Sequence, residues 1–346
     1  LIETSGYFLN TDGAVVNASS ALGNSGTWLL DPFDITIAST GNTGTAYSST
    51  FVAGQTSTIL ASSIEASLNG NTSVSITTAD GSITFTTGIA KTGNNTSSLT
   101  LSAYVNVALG ANSITSSANT LPLTITATTG SFTGSGNLTL NGGALSITQG
   151  TAGTYSGIIS GSGTTLTKAG AGALTLSGNN SYTGTTTINA GTLKLGATGD
   201  STNTPLGTTG AGTVVASGAT LDLAGYTLGT AEALSLAGTG SSGSNGALIS
   251  SGSAATYSGL LTLTGNATIY SANNITLSNA GTITGTNYAL TLDGTATGSS
   301  LASIIGTGAG TVTKAGTGTW TLSGASTYTG LTTISDGTLK LGANGG

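Results

Sequence analysis

Short runs of alternating apolar and polar residues are the dominant pattern along this chain. Ser73–Ile76, Leu99–Leu101 and Leu174–Leu176 place Val, Ile or Leu at every second position, with Ser or Thr between them. A period of two predicts strands with one buried and one exposed face, and such runs recur about every 8–12 residues here. No amphipathic helical window of about 11–18 residues occurs. We therefore expect an all-β fold.

An internal repeat favours a stack of coils over a β-sandwich. Residues Leu166–Ala197 and Val312–Ala343 are related by a constant offset of 146 residues and are identical at about two-thirds of their positions. Stacked coils must each present the same interface to their neighbours, whereas a sandwich need not reuse one segment. We call these two segments the cassettes. They predict a β-solenoid, with about 20 residues per coil and about 17 coils in all.

Glycine and lysine have regular positions within the cassettes. We expect Gly178, Gly184, Gly191 and Gly196 to lie at corners, where glycine permits positive φ. Lys194 and its equivalent Lys340 each lie between two leucines, so alternation places them on the solvent face.

The cassettes resemble the passenger-associated transport repeat, also called the autotransporter-associated β-strand repeat. The resemblance covers Lys168–Gly196 and Lys314–Gly342, including the segments YTG, TTI and GTLKLG. The repeat residues that it identifies are Lys168, Gly178, Tyr182, Gly184, Gly191, Lys194, Lys314, Gly324, Tyr328, Gly330, Gly337 and Lys340.

The N-terminal part resembles another group, the two-partner-secretion exoproteins of the filamentous-haemagglutinin-like and high-molecular-weight adhesin type. The similarity lies in an ETSG segment, a WLLDP segment and the stretch Ser57–Phe85. Its motif residues are Glu3, Gly6, Trp28, Asp31 and Pro32, and we expect Trp28 to be a core anchor.

Both resemblances imply a right-handed parallel β-helix that is exported through an outer-membrane barrel partner and displayed at the bacterial surface. We expect residues 1–40 to begin the shaft after a secretion domain and 41–130 to form a haemagglutinin-like β-helix. Residues 131–200 and 201–346 would carry one cassette each. The implied role is the shaft of an adhesin or extracellular fibre, in attachment or a biofilm matrix. Either secretion route is open, and the N-terminal similarity favours two-partner secretion.

Composition argues against catalysis and against nucleic-acid binding. The chain has 5 Lys+Arg, 11 Asp+Glu, no His and no Cys. Without His or Cys there is no Ser-His-Asp triad and no thiolate metal site, and the five isolated lysines form no phosphate-binding cluster. The nearest carboxylates, Asp31 and Asp34, flank Pro32 and fit a turn better than a Ca²⁺ site. We expect no enzyme activity, no catalytic residue, no cofactor and no metal.

Tyrosines and asparagines leave two interpretations open. Tyr182 and Tyr328 are equivalent, as are Tyr155 and Tyr257; they could stack on sugars, but packing over a corner with a hydrogen bond to the next coil is favoured. Asn-X-Ser/Thr sequons are abundant in so polar a chain, and the adhesin resemblance makes glycosylation conceivable at Asn17, Asn71, Asn94, Asn95, Asn137, Asn179, Asn266 and Asn274.

Two alternatives to the adhesin shaft follow from the same features. Copies of the chain could dock end to end into a filament or sheath, because open coils expose unpaired strand edges. A β-helix can also bind or cleave carbohydrate, although cleavage needs clustered carboxylates.

The sparse charge yields a first prediction. Charged residues make up 5% of the chain, so we expect almost no charge to be buried or paired. Screening by salt should therefore change stability little. The midpoint of denaturant unfolding, followed by circular dichroism, should be nearly the same in low and high NaCl. A strong shift of that midpoint would contradict the expectation.

Overall fold

The computed structural model describes residues 2–5, 16–18, 26–31, 33–40 and 56–342. The chain divides into two compact units, Leu1–Leu166 and Thr167–Gly346. Each unit is a β-solenoid of parallel strands, and the described residues of the two units form about 13 coils and one short helix. The predicted parallel β-solenoid is therefore confirmed.

The first unit contains sixteen short strands and the helix in its described residues. In chain order these are β1 Ile2–Ser5, β2 Thr27–Asp31, β3 Asp34–Ala38, β4 Thr56–Leu60, α1 Ala61–Asn69, β5 Ser73–Thr78, β6 Ile83–Phe85, β7 Ile89–Lys91, β8 Leu99–Ala103, β9 Val107–Ala108, β10 Ile114–Ser116, β11 Leu123–Ala127, β12 Phe132–Thr133, β13 Leu138–Thr139, β14 Leu145–Gln149, β15 Gly153–Tyr155 and β16 Ile159–Ser160.

Three parallel sheets line the coils of the first unit. One contains β1, β2, β5, β8, β11 and β14, the second contains β4, β3, β6, β9 and β12, and the third contains β7, β10, β13 and β16. Equivalent apolar positions stack in register: Ile76 pairs with Leu101, which pairs with Ile125. All three side chains are fully buried. The alternation seen in the sequence thus builds continuous aliphatic columns inside the solenoid.

The expectation that the chain lacks helices was wrong at one place. Helix α1 has only nine residues, shorter than the window in which helical periodicity can be recognised. Its buried apolar face consists of Ala61, Ile64 and Leu68, and the Ser67 hydroxyl donates to the carbonyl of Ser63. Packing of this small face holds the helix, because poor helix formers in so short a segment would not form one alone.

The second unit contains the remaining strands. In chain order these are β17 Leu166–Ala169 (whose first residue closes the first unit), β18 Leu174–Leu176, β19 Thr186–Ile188, β20 Gly191–Leu195, β21 Thr213–Val215, β22 Ala219–Asp222, β23 Leu234–Gly238, β24 Leu248–Ile249, β25 Ala255–Tyr257, β26 Leu261–Ser271, β27 Ile275–Leu277, β28 Thr282–Ile283, β29 Leu290–Gly294, β30 Ser299–Leu301, β31 Ile304–Ile305, β32 Val312–Lys314, β33 Thr319–Leu322, β34 Thr332–Ile334 and β35 Thr338–Leu341.

Strand pairing in the second unit is again parallel. Strands β19, β21 and β23 pair in succession, as do β18, β20, β22 and β24, and both series meet on the eleven-residue strand β26. From β26 the ladder continues through β29 and β32 to β34. A further sheet contains β25, β27, β30, β33 and β35, and β28 pairs with β31. Long β26 therefore joins the two series of strands within one sheet, and its pairing with β23 has a register shift between Leu236 and Gly238.

Coils vary in length, and this corrects the expected number of coils. Leu174 pairs with Leu193, 19 residues later, whereas Leu234 pairs with Leu261, 27 residues later. The estimate of about 17 coils was too high because loops between strands lengthen most coils beyond the spacing in the cassettes.

The corner glycines of the cassettes serve two different purposes. Gly191 has φ of 66° and needs the left-handed conformation, but Gly178, Gly184 and Gly196 do not have positive φ, so that part of the expectation was wrong. In the second cassette, a Cβ on Gly324 or Gly330 would lie 2.4 Å or 2.3 Å from a carbonyl oxygen of the preceding coil. Close approach between coils therefore requires glycine at these two positions.

The aliphatic columns yield a second prediction. Ile125→Ala should lower the free energy of unfolding by about 2–5 kcal/mol, because it opens a cavity between two fully packed neighbours. Thr124→Ala, on the exposed side of the same strand, is the matched control and should change it by less than about 0.5 kcal/mol. Urea unfolding of both variants measures the difference; equal costs would contradict the assignment of inward and outward faces.

Candidate functional site

Three of the five lysines have fully enclosed side chains inside the solenoid. Lys91, Lys168 and Lys314 each have 0% exposure. Each follows an inward apolar residue by two positions, as Lys314 follows Val312, so the alternation that buries the apolar residue also buries the lysine. These inward-facing lysines were missed in the sequence, where the rarity of charge suggested that almost none was buried; that expectation was wrong. Salt should still change stability little, because enclosed charges are screened much less than exposed ones.

Lys168 binds three backbone carbonyls at a corner of the first cassette. Its Nζ donates to the carbonyl oxygens of Ala169 at 2.8 Å, Gly170 at 2.9 Å and Ala190 at 3.2 Å. The first two belong to its own coil and the third belongs to the next coil. An ammonium has three donors and no acceptor, so all its hydrogen-bonding capacity is used. One side chain thereby joins two successive turns of backbone.

Lys314 repeats this arrangement in the second cassette. Its Nζ donates to the carbonyl oxygens of Ala315, of Gly316 at 2.7 Å and of Asp336 at 3.3 Å. The two acceptors that follow the lysine and the acceptor 22 residues later occupy the same cassette positions as those of Lys168. The lysine corner is therefore a reproducible part of the cassette.

Lys91 forms a third such corner outside the cassettes. Its Nζ donates to the carbonyl oxygens of Gly93 at 3.2 Å, Asn95 at 2.5 Å and Thr120 at 3.1 Å, the last on the following coil. The local sequence differs from that of the cassettes, yet the ammonium again contacts two coils. The lysine corner thus depends on an inward lysine at the end of a strand more than on the cassette sequence.

Burial lowers the pKa of these ammonium groups, whereas contacts with carbonyl oxygens favour their charged form. Burial lowers the pKa of Lys168 to about 8, and it lowers the pKa of Lys91 and Lys314 as well. The carboxylates of Asp293 and Asp336 raise the pKa of Lys314 against this effect. At pH 7 Lys168 still carries its proton, and the three carbonyl dipoles stabilise the charge where no carboxylate contacts it directly.

Each cassette contains strands from two successive coils, stacked on one another. In the first cassette Leu174 pairs with Leu193, and in the second Trp320 pairs with Leu339. A tyrosine closes the same loop in both: the hydroxyls of Tyr182 and Thr186 lie 2.5 Å apart, and those of Tyr328 and Thr332 lie 2.6 Å apart. The repeated sequence thus specifies two strands and the two strands stacked on them in the following coil, with the lysine corner and the tyrosine.

The other cassette residues also have defined positions. Gly191 and Gly337 share a φ of 66°, and Lys194 and Lys340 lie on the outer side of their strands, as alternation predicts.

Buried tyrosines hold neighbouring coils together. Tyr155, Tyr182 and Tyr257 are at most 1% exposed. Tyr155 donates its hydroxyl to the Gly136 carbonyl, and Tyr257 donates to the Glu232 carbonyl at 2.7 Å. Burial raises the pKa of these phenols. The bonds of Tyr155 and Tyr257 run to the preceding coil, whereas Tyr182 bonds Thr186 of its own coil, and the burial of all three rules them out as a sugar-stacking surface.

The N-terminal motif residues are only partly described. Trp28 is 1% exposed and pairs with Val74, which confirms it as a core anchor. Glu3 lies in β1 and Asp31 ends β2, while Gly6 and Pro32 lie outside the described residues. Asp34 begins β3, and its Oδ1 accepts from the Ser82 amide at 2.7 Å. Among the described residues no three acidic, His or Cys side chains gather into a metal site.

Several sequon asparagines use their side chains to bond adjacent coils. The Oδ1 atoms of Asn137, Asn266 and Asn274, all exposed, accept from backbone amides 21–24 residues later. The other sequons differ in their contacts. Asn94 accepts from Asn119, Asn95 donates to the Asn69 carbonyl, Asn179 donates to Asp200, Asn71 has φ of 63° and Asn17 is exposed.

One ion pair lies on the outer surface of the second unit. Lys194 Nζ is 3.7 Å from Asp222 Oδ2 and donates to Ser251 Oγ at 3.1 Å, while Ser251 Oγ donates to the same Oδ2 at 2.5 Å. A nucleophilic serine needs a base that can take its proton. Here the charged Lys194 donates to the oxygen of Ser251. The other oxygen of Asp222, Oδ1, accepts from the backbone amides of Ala224 and Ser251. The arrangement is that of a surface hydrogen-bond network.

The cassettes match a known family of repeats. Residues 166–195 and 312–341 match the passenger-associated-transport-repeat family, about one sixth of the chain. No curated protein and no solved structure matches the chain. The matched repeats and the β-solenoid fit an autotransporter-type passenger and suggest a secreted or surface protein linked to outer-membrane secretion. Within the described residues, no helix has the length and apolar character needed to cross a membrane.

The lysine corner yields a third prediction. Lys168→Met keeps the aliphatic stem but leaves three enclosed carbonyls without their shared donor, so the free energy of unfolding should fall by about 2–4 kcal/mol. Lys194→Met, on the outer face of the same cassette, should cost less than about 1 kcal/mol. Urea unfolding at pH 7 compares them, and a Lys168→Met variant as stable as Lys194→Met would refute the role of the corner.

Proposed function

We propose that this chain is part of the structural shaft of a secreted bacterial adhesin or extracellular fibre, acting in attachment or in a biofilm matrix. The observation that carries the proposal is that both segments matching the passenger repeat place strands of two successive coils in register within a parallel β-solenoid. A stack of coils holds surface side chains at fixed intervals, which suits a protein whose task is to extend and present a surface.

The outer face of the first unit supports a role in contact. Ser75, Thr100, Thr124 and Ser146 follow one another in register, and Thr77, Ser102, Thr126 and Thr148 form a second column beside them. Strands are about 4.8 Å apart, so each column presents hydroxyls at a regular spacing. Such an uncharged, hydroxyl-rich face is wetted without ions and can hydrogen-bond to a neutral polysaccharide or a protein surface.

We propose further that the chain acts without catalysis and leaves the cell through an outer-membrane barrel partner by two-partner secretion. The network of Lys194, Asp222 and Ser251 supports the first point, because its serine oxygen is occupied by a charged donor. The matched passenger repeats support export across an outer membrane, and the sequence resemblance around Trp28 favours the two-partner route.

A bead-attachment assay tests the contact role and is the fourth prediction. Beads coated with the purified 346-residue chain should attach to epithelial monolayers, or to immobilised neutral polysaccharides, several-fold more than beads coated with an unrelated protein. The double variant Thr124→Lys and Thr126→Lys places charge in both hydroxyl columns and should reduce attachment.

The matched control carries two lysines elsewhere, at the exposed loop positions Ser117 and Ala118, and should attach like the original chain. Failure of the correctly folded chain to attach to any surface would count against an adhesive shaft. Release of new reducing ends from the polysaccharides would instead favour a carbohydrate-cleaving β-helix.

A further inference from the structure

One carboxyl group is enclosed within the second unit. Glu232 is 1% exposed and lies in the segment of residues 228–234, which bends at residues 229 and 230 and then enters β23. Leu228, Thr230, Glu232 and Leu234 are buried, while the residues between them are exposed. Alternation therefore directs the Glu232 side chain inward, at a position of the kind that aliphatic residues occupy elsewhere in the solenoid.

The Glu232 carboxyl is incompletely hydrogen-bonded. Its Oε1 accepts from Thr213 Oγ1 at 3.2 Å, but its Oε2 has no hydrogen-bond partner within the protein. The hydroxyl of Thr230, two residues earlier on the same face, also has none. The hydroxyl of Tyr257 is engaged with the backbone carbonyl of Glu232 at 2.7 Å.

No cation compensates this carboxyl group in the described part of the chain. All five basic residues are lysines: three of them bind corner carbonyls, Lys194 lies beside Asp222, and Lys340 is exposed on β35. The titratable groups that act on Glu232 are the phenols of Tyr182 and Tyr257, both fully buried and both neutral when protonated. An ionised Glu232 would therefore be a buried charge without a counter-ion, which is a costly arrangement.

We propose that Glu232 makes the packing of residues 228–234 dependent on a proton: the coil is closed around the neutral acid and opens when the carboxyl ionises. A neutral carboxylic acid fits the enclosed site, because it needs no counter-ion. Opening of the segment hydrates the carboxylate and removes the penalty of burying it. The chain thus contains a pH-sensitive element in its second unit, independent of any adhesive role.

The packing of residues 228–234 should respond to pH between weakly acidic and neutral values. Burial raises the pKa of Glu232 from 4.5 to about 7, and the hydrogen bond from Thr213 acts in the opposite direction. The closed state therefore binds more protons than the open state between these values. Its stability is greatest below pH 4.5, falls as the pH rises and is lowest above pH 7.

Hydrogen exchange of the full 346-residue chain tests this inference and is the fifth prediction. Protection factors, corrected for the intrinsic exchange rate at each pH, should fall roughly 70-fold between pH 5 and pH 8 for amides in residues 228–234. Glu232→Gln keeps the shape without the titration, so its protection in this segment should change little with pH. Glu65→Gln, a carboxyl that accepts from the Ala90 amide in the first unit, is the matched control and should leave the fall intact.

A second variant separates titration from a purely structural effect. Thr213→Val removes the one hydrogen bond that favours the ionised carboxyl, so the midpoint of the protection loss should move to higher pH. Equal protection of the original chain at both pH values would overturn the proposal, as would a fall that persists in Glu232→Gln. If Glu232→Gln does not fold, an unmoved midpoint in Thr213→Val would overturn it, and neither result would bear on attachment.

Discussion

Parallel stacking of coils depends on satisfying the backbone where the chain leaves the ladder. Within strands each coil bonds its neighbours directly, but at the corners the carbonyls turn away from the ladder while remaining enclosed. Unpaired polar groups in such positions are costly. Lys91, Lys168 and Lys314 meet this constraint with one ammonium on three carbonyls, always including one from the following coil. The rest of the solenoid can then be aliphatic columns and outward hydroxyls.

Other polar side chains serve the same need in different ways. Tyr257 donates to a carbonyl of an adjacent coil, and Asn266 and Asn274 accept from amides of adjacent coils. Each of these side chains contacts a neighbouring coil, so polar groups and aliphatic columns specify the same register. The Glu232 carboxyl differs from them, since one of its oxygens contacts no donor although it is buried. That exception is why we assign it a proton-dependent role.

Much of this fold could be predicted from the sequence because its signals are local and repeated. Alternation at Leu99–Leu101 and the two cassettes predicted parallel stacked coils. Helix α1 escaped prediction because its stability comes from packing of three side chains. Coil number was overestimated because loop lengths follow no period. The inward position of the lysines could have been predicted, since Lys168 is two residues after the inward Leu166 in the same strand. Burying a charge is ordinarily costly, and this argued against that prediction. Glu232 could likewise have been placed inward, since it is two positions before the inward Leu234, but its hydrogen bonding could not be predicted because its partners Thr213 and Tyr257 come from neighbouring coils.

Three lysines are enclosed at corners where they join successive coils, and the stacking described above depends on them. Amine-reactive acetylation of the native chain, read out residue by residue by mass spectrometry, tests this enclosure directly. We expect rapid modification of Lys194 and Lys340, which reach the surface, and protection of Lys91, Lys168 and Lys314 until the chain is unfolded in denaturant. Modification of Lys168 and Lys314 in the native chain at the rate of Lys340 would contradict it.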